Sequence, residues 1–146
     1  MYPNSLNNRH KTIYKLLKVS NSLEYDIQHM LKPYKFTIAQ YSILRALRNH
    51  YPLPVNVMAL RQEMIDKMSD VTRLINRLAE RNLIVKKISP DDKRVSEVFI
   101  SEKGLKDLIQ VEKDLEDVHF LKHIDIEKLD SLNNILEEIL LKRAED

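Results

Sequence analysis

No cysteine occurs anywhere in the sequence. That gap excludes a disulfide framework, a thiol redox sensor, a thiolate metal site and a cysteine nucleophile. Glycine is almost as scarce, Gly104 being the only one in 146 residues. Phosphate-cradling loops need several glycines so that backbone N–H groups can approach the anion. Without such a loop the common nucleotide-cofactor folds lose most of their support, and no cofactor is expected. Apolar runs are short and broken by charge, so no transmembrane span is expected. The opening MYPNSLNNRHK lacks the apolar core of a secretion signal. A cytoplasmic location, away from membranes, is the resulting expectation. A chain of this length can bury a real core as one domain with helical extensions.

The net charge of +2 says little, but its distribution says more. Residues 1–52 carry 8 basic and 2 acidic side chains, whereas residues 105–146 carry 6 and 12. Within the middle, residues 67–94 hold 8 basic against 4 acidic. An acidic tail repels phosphate while the front and middle attract it. The same distribution also suits an ordinary helical protein.

Taken in order, the chain is mostly helical. From about Arg9 to Lys32, apolar residues recur at steps of three and four (Ile13, Leu16, Leu17, Leu23, Ile27, Met30, Leu31), and Pro33 ends this helix. A second helix opens at Thr37, which forms a T-x-x-Q capping box with Gln40, and buries Ile38, Tyr41, Leu44 and Leu47. Pro52 and Pro54 break the chain before Asn56, a good N-cap for a short third helix with Val57, Leu60 and Met64 inward. Ser101 and Asp125 are expected to cap two final helices. The first of these carries Leu105, Leu108, Ile109, Leu115, Val118 and Leu121; the second carries Leu129, Leu132, Leu136, Ile139 and Leu140.

The centre of the chain is the stretch Asp66–Arg94. After a tight turn near Ile65 and Asp66 comes a fourth helix, ending around Arg81, with Val71, Leu74, Ile75 and Leu78 on one face. Ser69, Arg73, Asn76 and Glu80 centre on the opposite face, flanked by Asp70 and Arg77, with Thr72 nearer the edge. Leu83–Ile88 and Val95–Ile100 are rich in β-branched residues and flank Ser89-Pro90-Asp91-Asp92-Lys93-Arg94, whose turn chemistry predicts a hairpin. Two short helices, a tight turn and a two-stranded basic wing define a winged helix-turn-helix. In that device the second helix enters a DNA major groove. Arg73 or Arg77 can donate two hydrogen bonds to a guanine edge, and Asn76 can pair with adenine. Ser69 and Thr72 suit phosphate or base contacts. A helix with a merely solvated face looks similar by itself. Its partner helix and the basic wing (Lys86, Lys87, Lys93, Arg94) favour the groove reader.

The run SDVTRLINRLAERNLIVKKISPDDKRVSEVFISEKG resembles the central signature of the MarR family, bacterial regulators named for multiple antibiotic resistance. The matching positions are Val71-Thr72-Arg73-Leu74, Arg77-Leu78, Leu83-Ile84, the D-x-R wing Asp92-Lys93-Arg94, and Ser101-Glu102-Lys103-Gly104. FTIAQYSILRAL resembles the family's helix before the first DNA-binding helix. The likeness extends in length and helix order over essentially the whole chain. It implies a mainly α fold with a small β-wing, in which residues of about 36–104 form the winged helix-turn-helix. Residues of about 1–35 and 105–146 would supply intertwined dimerisation helices. It also implies an obligate homodimer, with Arg94 reaching a DNA minor groove and Asp92 orienting the wing; an Asp92–Arg94 surface salt bridge is the plainer alternative. Asn82 stands where the family usually has Gly, and Asn also tolerates the left-handed backbone of a helix end. The first DNA-binding helix, VMALRQEM, lacks the family's small and acidic residues near its start. Asp70 and Glu80 on the exposed face would repel phosphate unless they meet cytosine amino groups or solvent.

The expected function is a homodimeric, sequence-specific DNA-binding transcriptional regulator. On the resemblance it is a repressor of a pseudo-palindromic operator, released by a small-molecule effector of unknown site and identity. The alternatives are a winged-helix protein-interaction module and a metal-responsive regulator using His119 and His123, whose i, i+4 spacing brings two imidazoles to one ion, with a carboxylate from Glu116 or Asp117. No third histidine is nearby, and solvated residues near a helix end explain the pair, so no metal is expected. Tyr34, Tyr41 and Tyr51 are expected in the core with hydroxyls at its edge, or else lining an effector crevice. No nucleophile, base and oxyanion donor can be grouped, so an enzyme is not expected.

Overall fold

The computed structural model describes residues 4–66, 68–94, 96–117 and 120–144. Among the described residues, six helices and three short strands follow in the order α1 (Asn4–Leu31), α2 (Ile38–His50), β1 (Val55–Asn56), α3 (Val57–Glu63), α4 (Val71–Glu80), β2 (Ile84–Ile88), β3 (Ser96–Ile100), α5 (Glu102–Asp117) and α6 (Ile126–Ala144). A single 3-10 turn, Lys32–Tyr34, joins α1 to α2. Pro33 accounts for the change of geometry, since it removes a donor and cannot continue an α-helix.

Three of the predicted caps form, at Thr37, Asn56 and Ser101. Thr37 Oγ1 accepts from Gln40 N–H and Gln40 Oε1 from Thr37 N–H, both at 3.1 Å, which closes the capping box of α2. Asn56 Oδ1 accepts from Ala59 N–H at 2.7 Å and starts α3. Ser101 Oγ accepts from Gly104 N–H at 2.9 Å in the first turn of α5. Each such cap satisfies a backbone donor that the helix itself leaves free, worth about 1 kcal/mol.

Around α2 the lobe closes. Ile43, Leu44 and Leu47 are sealed beneath Leu31, Leu60, Val71, Ile75, Leu78, Leu83, Val98, Leu108 and Val111. Fully burying one such side chain contributes about 1.5–3 kcal/mol, so this shared core is what holds α3, α4 and the sheet in place. The sheet has three antiparallel strands in the order β1-β3-β2, not the two expected for the wing. Val55 pairs with Val98 and Asn56 with Glu97, because the extended chain forced by Pro52 and Pro54 runs along the free edge of β3. On the other edge Ile84 pairs with Ile100 and Ile88 with Ser96, giving the predicted hairpin.

The chain divides into two compact units, residues 1–115 and 116–146. In the first, residues 7–22 of α1 are exposed throughout. Leu31 alone of the predicted α1 stripe is buried, with Leu23, Ile27 and Met30 partly covered. Ile13 and Leu17 lie open to solvent. In the second unit no described residue of α6 is buried, and Ile135, Ile139, Leu140 and Leu141 are exposed. Helix α5 ends at Asp117, short of Leu121, and Val118 lies outside the described residues. No helix among the described residues is long and apolar enough to cross a membrane.

Candidate nucleic-acid interface

Helices α3 and α4 are joined by residues 64–70, and the joint is built by two aspartates. Asp66 accepts from Met68 N–H (2.9 Å) through a carboxylate oxygen and from Ser69 N–H (3.2 Å) through its carbonyl. Asp70 Oδ1 then accepts from Arg73 N–H at 3.1 Å and serves as the N-cap of α4. The helix therefore begins at Val71, later than the sequence pattern suggested. Asp and Ser bond to nearby backbone groups in competition with the helical ladder, which pushes the start beyond them. Ser69 consequently sits in the turn before the helix, half-buried, and not on its exposed face. Asp70 is at the helix mouth with one carboxylate oxygen already engaged.

Along α4 the two faces separate cleanly. Val71, Ile75 and Leu78 are buried and Leu74 half-buried, whereas Thr72, Arg73, Asn76, Arg77 and Glu80 are exposed. Among the described residues the side chains of Arg73, Asn76 and Arg77 have no internal hydrogen bond or ion pair. Two guanidinium forks and one carboxamide thus project side by side from a helix fixed by its opposite face.

The wing adds a second cationic edge. Lys86 and Lys87 are exposed on β2, and the Lys87 ammonium lies 5.4 Å from the Phe99 ring centroid across the hairpin. At the tip, Asp92 Oδ1 accepts from Arg94 N–H at 2.9 Å, and Ser89 Oγ accepts from Asp91 N–H at 3.3 Å. No ion pair joins the Asp92 and Arg94 side chains among the described residues. The Asp92 carboxylate is spent on the turn backbone, and the Arg94 guanidinium is left to solvent, as is Lys93.

The C-terminal end of α4 is tied down on every side. Asn82 has φ 59°, the left-handed conformation expected for it. Its N–H donates to Ala79 O (2.9 Å) and Leu83 N–H to Leu78 O (3.0 Å), the paired bonds of a Schellman termination. Ser101 donates through Oγ to Asn82 O (2.7 Å) and through N–H to Leu83 O (3.0 Å). A Cβ on Gly104 would overlap the Leu83 carbonyl oxygen, so the lone glycine is what lets α5 approach. Arg81, which sequence reasoning passed over, donates to Lys35 O (2.8 Å) and Tyr34 O (2.9 Å) and lies 4.6 Å from the Phe36 ring centroid. Its acceptors lie more than forty positions upstream, so local pattern carried no sign of them.

Of the three tyrosines, Tyr41 is buried beneath Arg45, burial holding its hydroxyl above the ordinary range. The Tyr34 hydroxyl donates to the Asp114 carboxylate of α5, and that bond likewise raises its pKa. Tyr51 is exposed and not in the core, because it follows the end of α2 in the proline-rich connection. Among the described residues no group of three or more His, Asp and Glu is placed to hold a metal ion. His123 is exposed, and His119 lies outside the described residues.

These features have known counterparts. The AbsC regulator of Streptomyces coelicolor superposes with a TM-score of 0.80 at 22% identity, covering 94% of this chain and 95% of that one. A MarR-like transcription regulator from Bacillus cereus ATCC 10987 gives 0.71 at 24%, covering 96% and 97%. A mutant of E. coli MarR, solved in complex with operator DNA, gives 0.76 at 20%, covering 92% and 96%. At these identities the likeness shows the fold. In sequence, the HTH-type transcriptional regulator YhbI of Bacillus subtilis (strain 168) is 27% identical over 78 residues, 53% of this chain. That match spans about half (49%) of the curated relative's length. The MarR family model matches residues 36–96, which run from the start of α2 to the first residue of β3 and include both helices of the helix-turn-helix. With the winged helix and the signature from Val71 to Gly104 both in place, residues 36–96 are similar to the MarR family, and the chain has the fold of MarR-type transcriptional regulators.

Proposed function

We propose that this protein is a cytoplasmic, homodimeric repressor that reads a pseudo-palindromic DNA operator and has no enzymatic activity. One observation carries the DNA half. The exposed face of α4 presents Arg73, Asn76 and Arg77 without internal partners, on a helix whose other face is locked in the core. Internally paired side chains would have to break those pairs to reach a base edge; these do not. In this reading α4 lies in the major groove, with Arg73 or Arg77 on guanine and Asn76 on adenine. Thr72 and Ser69 contact the flanking phosphates and Asp70 borders the helix mouth. Lys86, Lys87 and Lys93 follow the backbone, while Arg94 enters the minor groove, where narrow A·T-rich segments attract guanidinium groups. That a structural relative, a mutant of E. coli MarR, has been solved in complex with operator DNA supports DNA as the partner of this face.

The homodimer rests on apolar surface. Ile13, Leu17 and Val19 of α1 and Ile135, Leu140 and Leu141 of α6 are exposed in the single chain. On each of these long helices the exposed side chains recur along the length, an apolar face for which a partner helix is the proposed cover. Residues of about 1–35 and 105–146 would supply the dimerisation base, and each lobe would occupy a half-site about one helical turn, roughly 34 Å, from the other. An effector that favours a different lobe spacing would release the DNA. Moving the population from mostly bound to mostly free takes about 5 kcal/mol of differential affinity.

The test is a salt titration of binding to a selected duplex. A DNA reader loses affinity steeply as counterions are released, with a slope near −0.9 per phosphate contacted. Arg94→Ala should weaken binding to all duplexes. Arg73→Ala or Asn76→Ala should also relax base preference, by about 1–3 kcal/mol at the contacted position. Flat salt dependence in the wild type would favour a winged-helix protein-interaction module instead.

A further inference from the structure

We propose that Arg81 is a positioning residue for DNA reading: it fixes the tilt of α4 by clamping the helix's C-terminal end to the foot of α1. The proposal rests on the DNA-binding reading above. Its geometric basis is independent of that reading.

Lys35 ends the 3-10 turn in the left-handed region (φ 55°), its N–H closing on Lys32 O at 3.0 Å. At such a terminus the carbonyls have no helical donor left to satisfy them. Arg81 supplies two. Nη1 donates to Lys35 O and Nη2 to Tyr34 O, so one rigid fork spans two successive peptide groups. Beneath it lies the Phe36 ring, itself buried and 6.4 Å from the Tyr34 ring in a stacked arrangement. The residue is fixed from behind as well, because its own carbonyl accepts from Lys103 Nζ of α5 at 3.2 Å. Tyr34 extends the linkage: its hydroxyl donates to Asp114 of α5, whose other carboxylate oxygen accepts from Gln110 Nε2 at 3.0 Å. A single arginine thus joins the end of the recognition helix to the junction where α1 gives way to α2, and through Tyr34 to the middle of α5.

Leverage makes this matter for reading bases. Helix α4 has 10 residues, hence a length of roughly 15 Å at ~1.5 Å per residue. A tilt of about 10° about its C-terminal end displaces the other end by roughly 2.6 Å, several times the tolerance of a hydrogen bond. Arg73 sits toward that far end and Asn76 near mid-helix, where the same tilt still displaces it by roughly 1 Å at ~1.5 Å per residue. Phosphate contacts by flexible lysines survive such a shift, whereas bidentate base contacts do not. Loss of the clamp should therefore lower specific binding selectively.

The experiment uses the full chain, a duplex selected by it from a random pool, and a scrambled duplex of equal length. Affinities of wild type, Arg81→Gln, Arg81→Lys and Arg94→Ala are measured across a salt series, at a temperature where each is folded by circular dichroism. With Arg81→Gln the affinity for the selected duplex should fall about tenfold, while the scrambled duplex changes less than about twofold and the salt slope is unchanged. Arg81→Lys keeps the charge but not the fork, and should recover only part of the discrimination. Arg94→Ala should instead reduce the slope by about one for both duplexes. Equal losses on both duplexes would reduce Arg81 to a stability role and overturn the proposal. So would a slope that drops with Gln and returns with Lys, the mark of a direct phosphate contact, or unchanged discrimination in both Arg81 variants. Absence of salt-dependent binding by the wild type would overturn the DNA reading itself, and this proposal with it.

Discussion

The two ends of α4 are built on opposite plans. At its N-terminal end the helix mouth is shaped, among the described residues, by short-range hydrogen bonds: Asp66 to Met68 and Ser69, and Asp70 to Arg73. Met68 stands 91% exposed beside it. At its C-terminal end the chain is held by residues from far away: Ser101 just before α5 and Gly104 within it, Lys103 against the Arg81 carbonyl, and the Tyr34 and Lys35 carbonyls from the foot of α1. Val71, Ile75 and Leu78 seat the whole inner face in the core, so the contrast is one of hydrogen bonding: tied to distant groups at one end, self-capped at the other. The difference also separates the energetic roles: long-range contacts fix where the helix points, and local ones fix where it begins.

The anchored end is where the largest effect is expected. Gly104→Ala drives a methyl into the Leu83 carbonyl, a backbone atom that cannot swing aside, so the start of α5 must shift away from the Schellman turn. Destabilisation of about 3 kcal/mol is expected, at the upper end of overpacking costs. Urea denaturation at fixed protein concentration reads it, the concentration being held because dimerisation would couple to folding. A loss under about 0.5 kcal/mol would mean that α5 is not pressed on this turn. Next comes Asn82→Val, which puts a β-branched residue at φ 59° and should cost about 1–2 kcal/mol, whereas Asn82→Gly should be neutral or slightly stabilising.

What could be read from the sequence follows the same division. Short-range chemistry was legible: the capping box of Thr37 and Gln40, the Asn56 cap, the left-handed Asn82, and the hairpin with its turn at Ser89–Arg94 all form from neighbours in the chain. The apolar stripe of α4 was legible because helical periodicity places Val71, Ile75 and Leu78 together. Three things were not. Strand β1 depends on the free edge of β3, which no local pattern announces. The true start of α4 depends on Asp66 and Asp70 winning backbone donors from the helix, a competition that periodicity does not register. Arg81 looks like any basic residue near a helix C-terminus, favourable to the dipole and unremarked, until the carbonyls of Tyr34 and Lys35 are brought beneath it.

The free end should answer with smaller and oppositely signed effects. Asp70→Ala removes the cap of α4 and should cost about 1 kcal/mol; Asp70→Asn keeps a capping oxygen and should cost only a few tenths. Both variants also delete a negative charge at the mouth of the proposed groove reader. If that carboxylate faces phosphate, affinity for any duplex should rise in both, so that Asp70→Ala becomes less stable yet binds more tightly. If it accepts instead from a cytosine amino group, Asp70→Ala should lose affinity only for duplexes carrying cytosine at one position. Measuring stability and binding on the same two variants separates these cases, because the cap is common to wild type and Asn while the charge is common to neither variant. Binding unchanged in both would place the Asp70 side chain clear of the groove and confine its work to starting the helix.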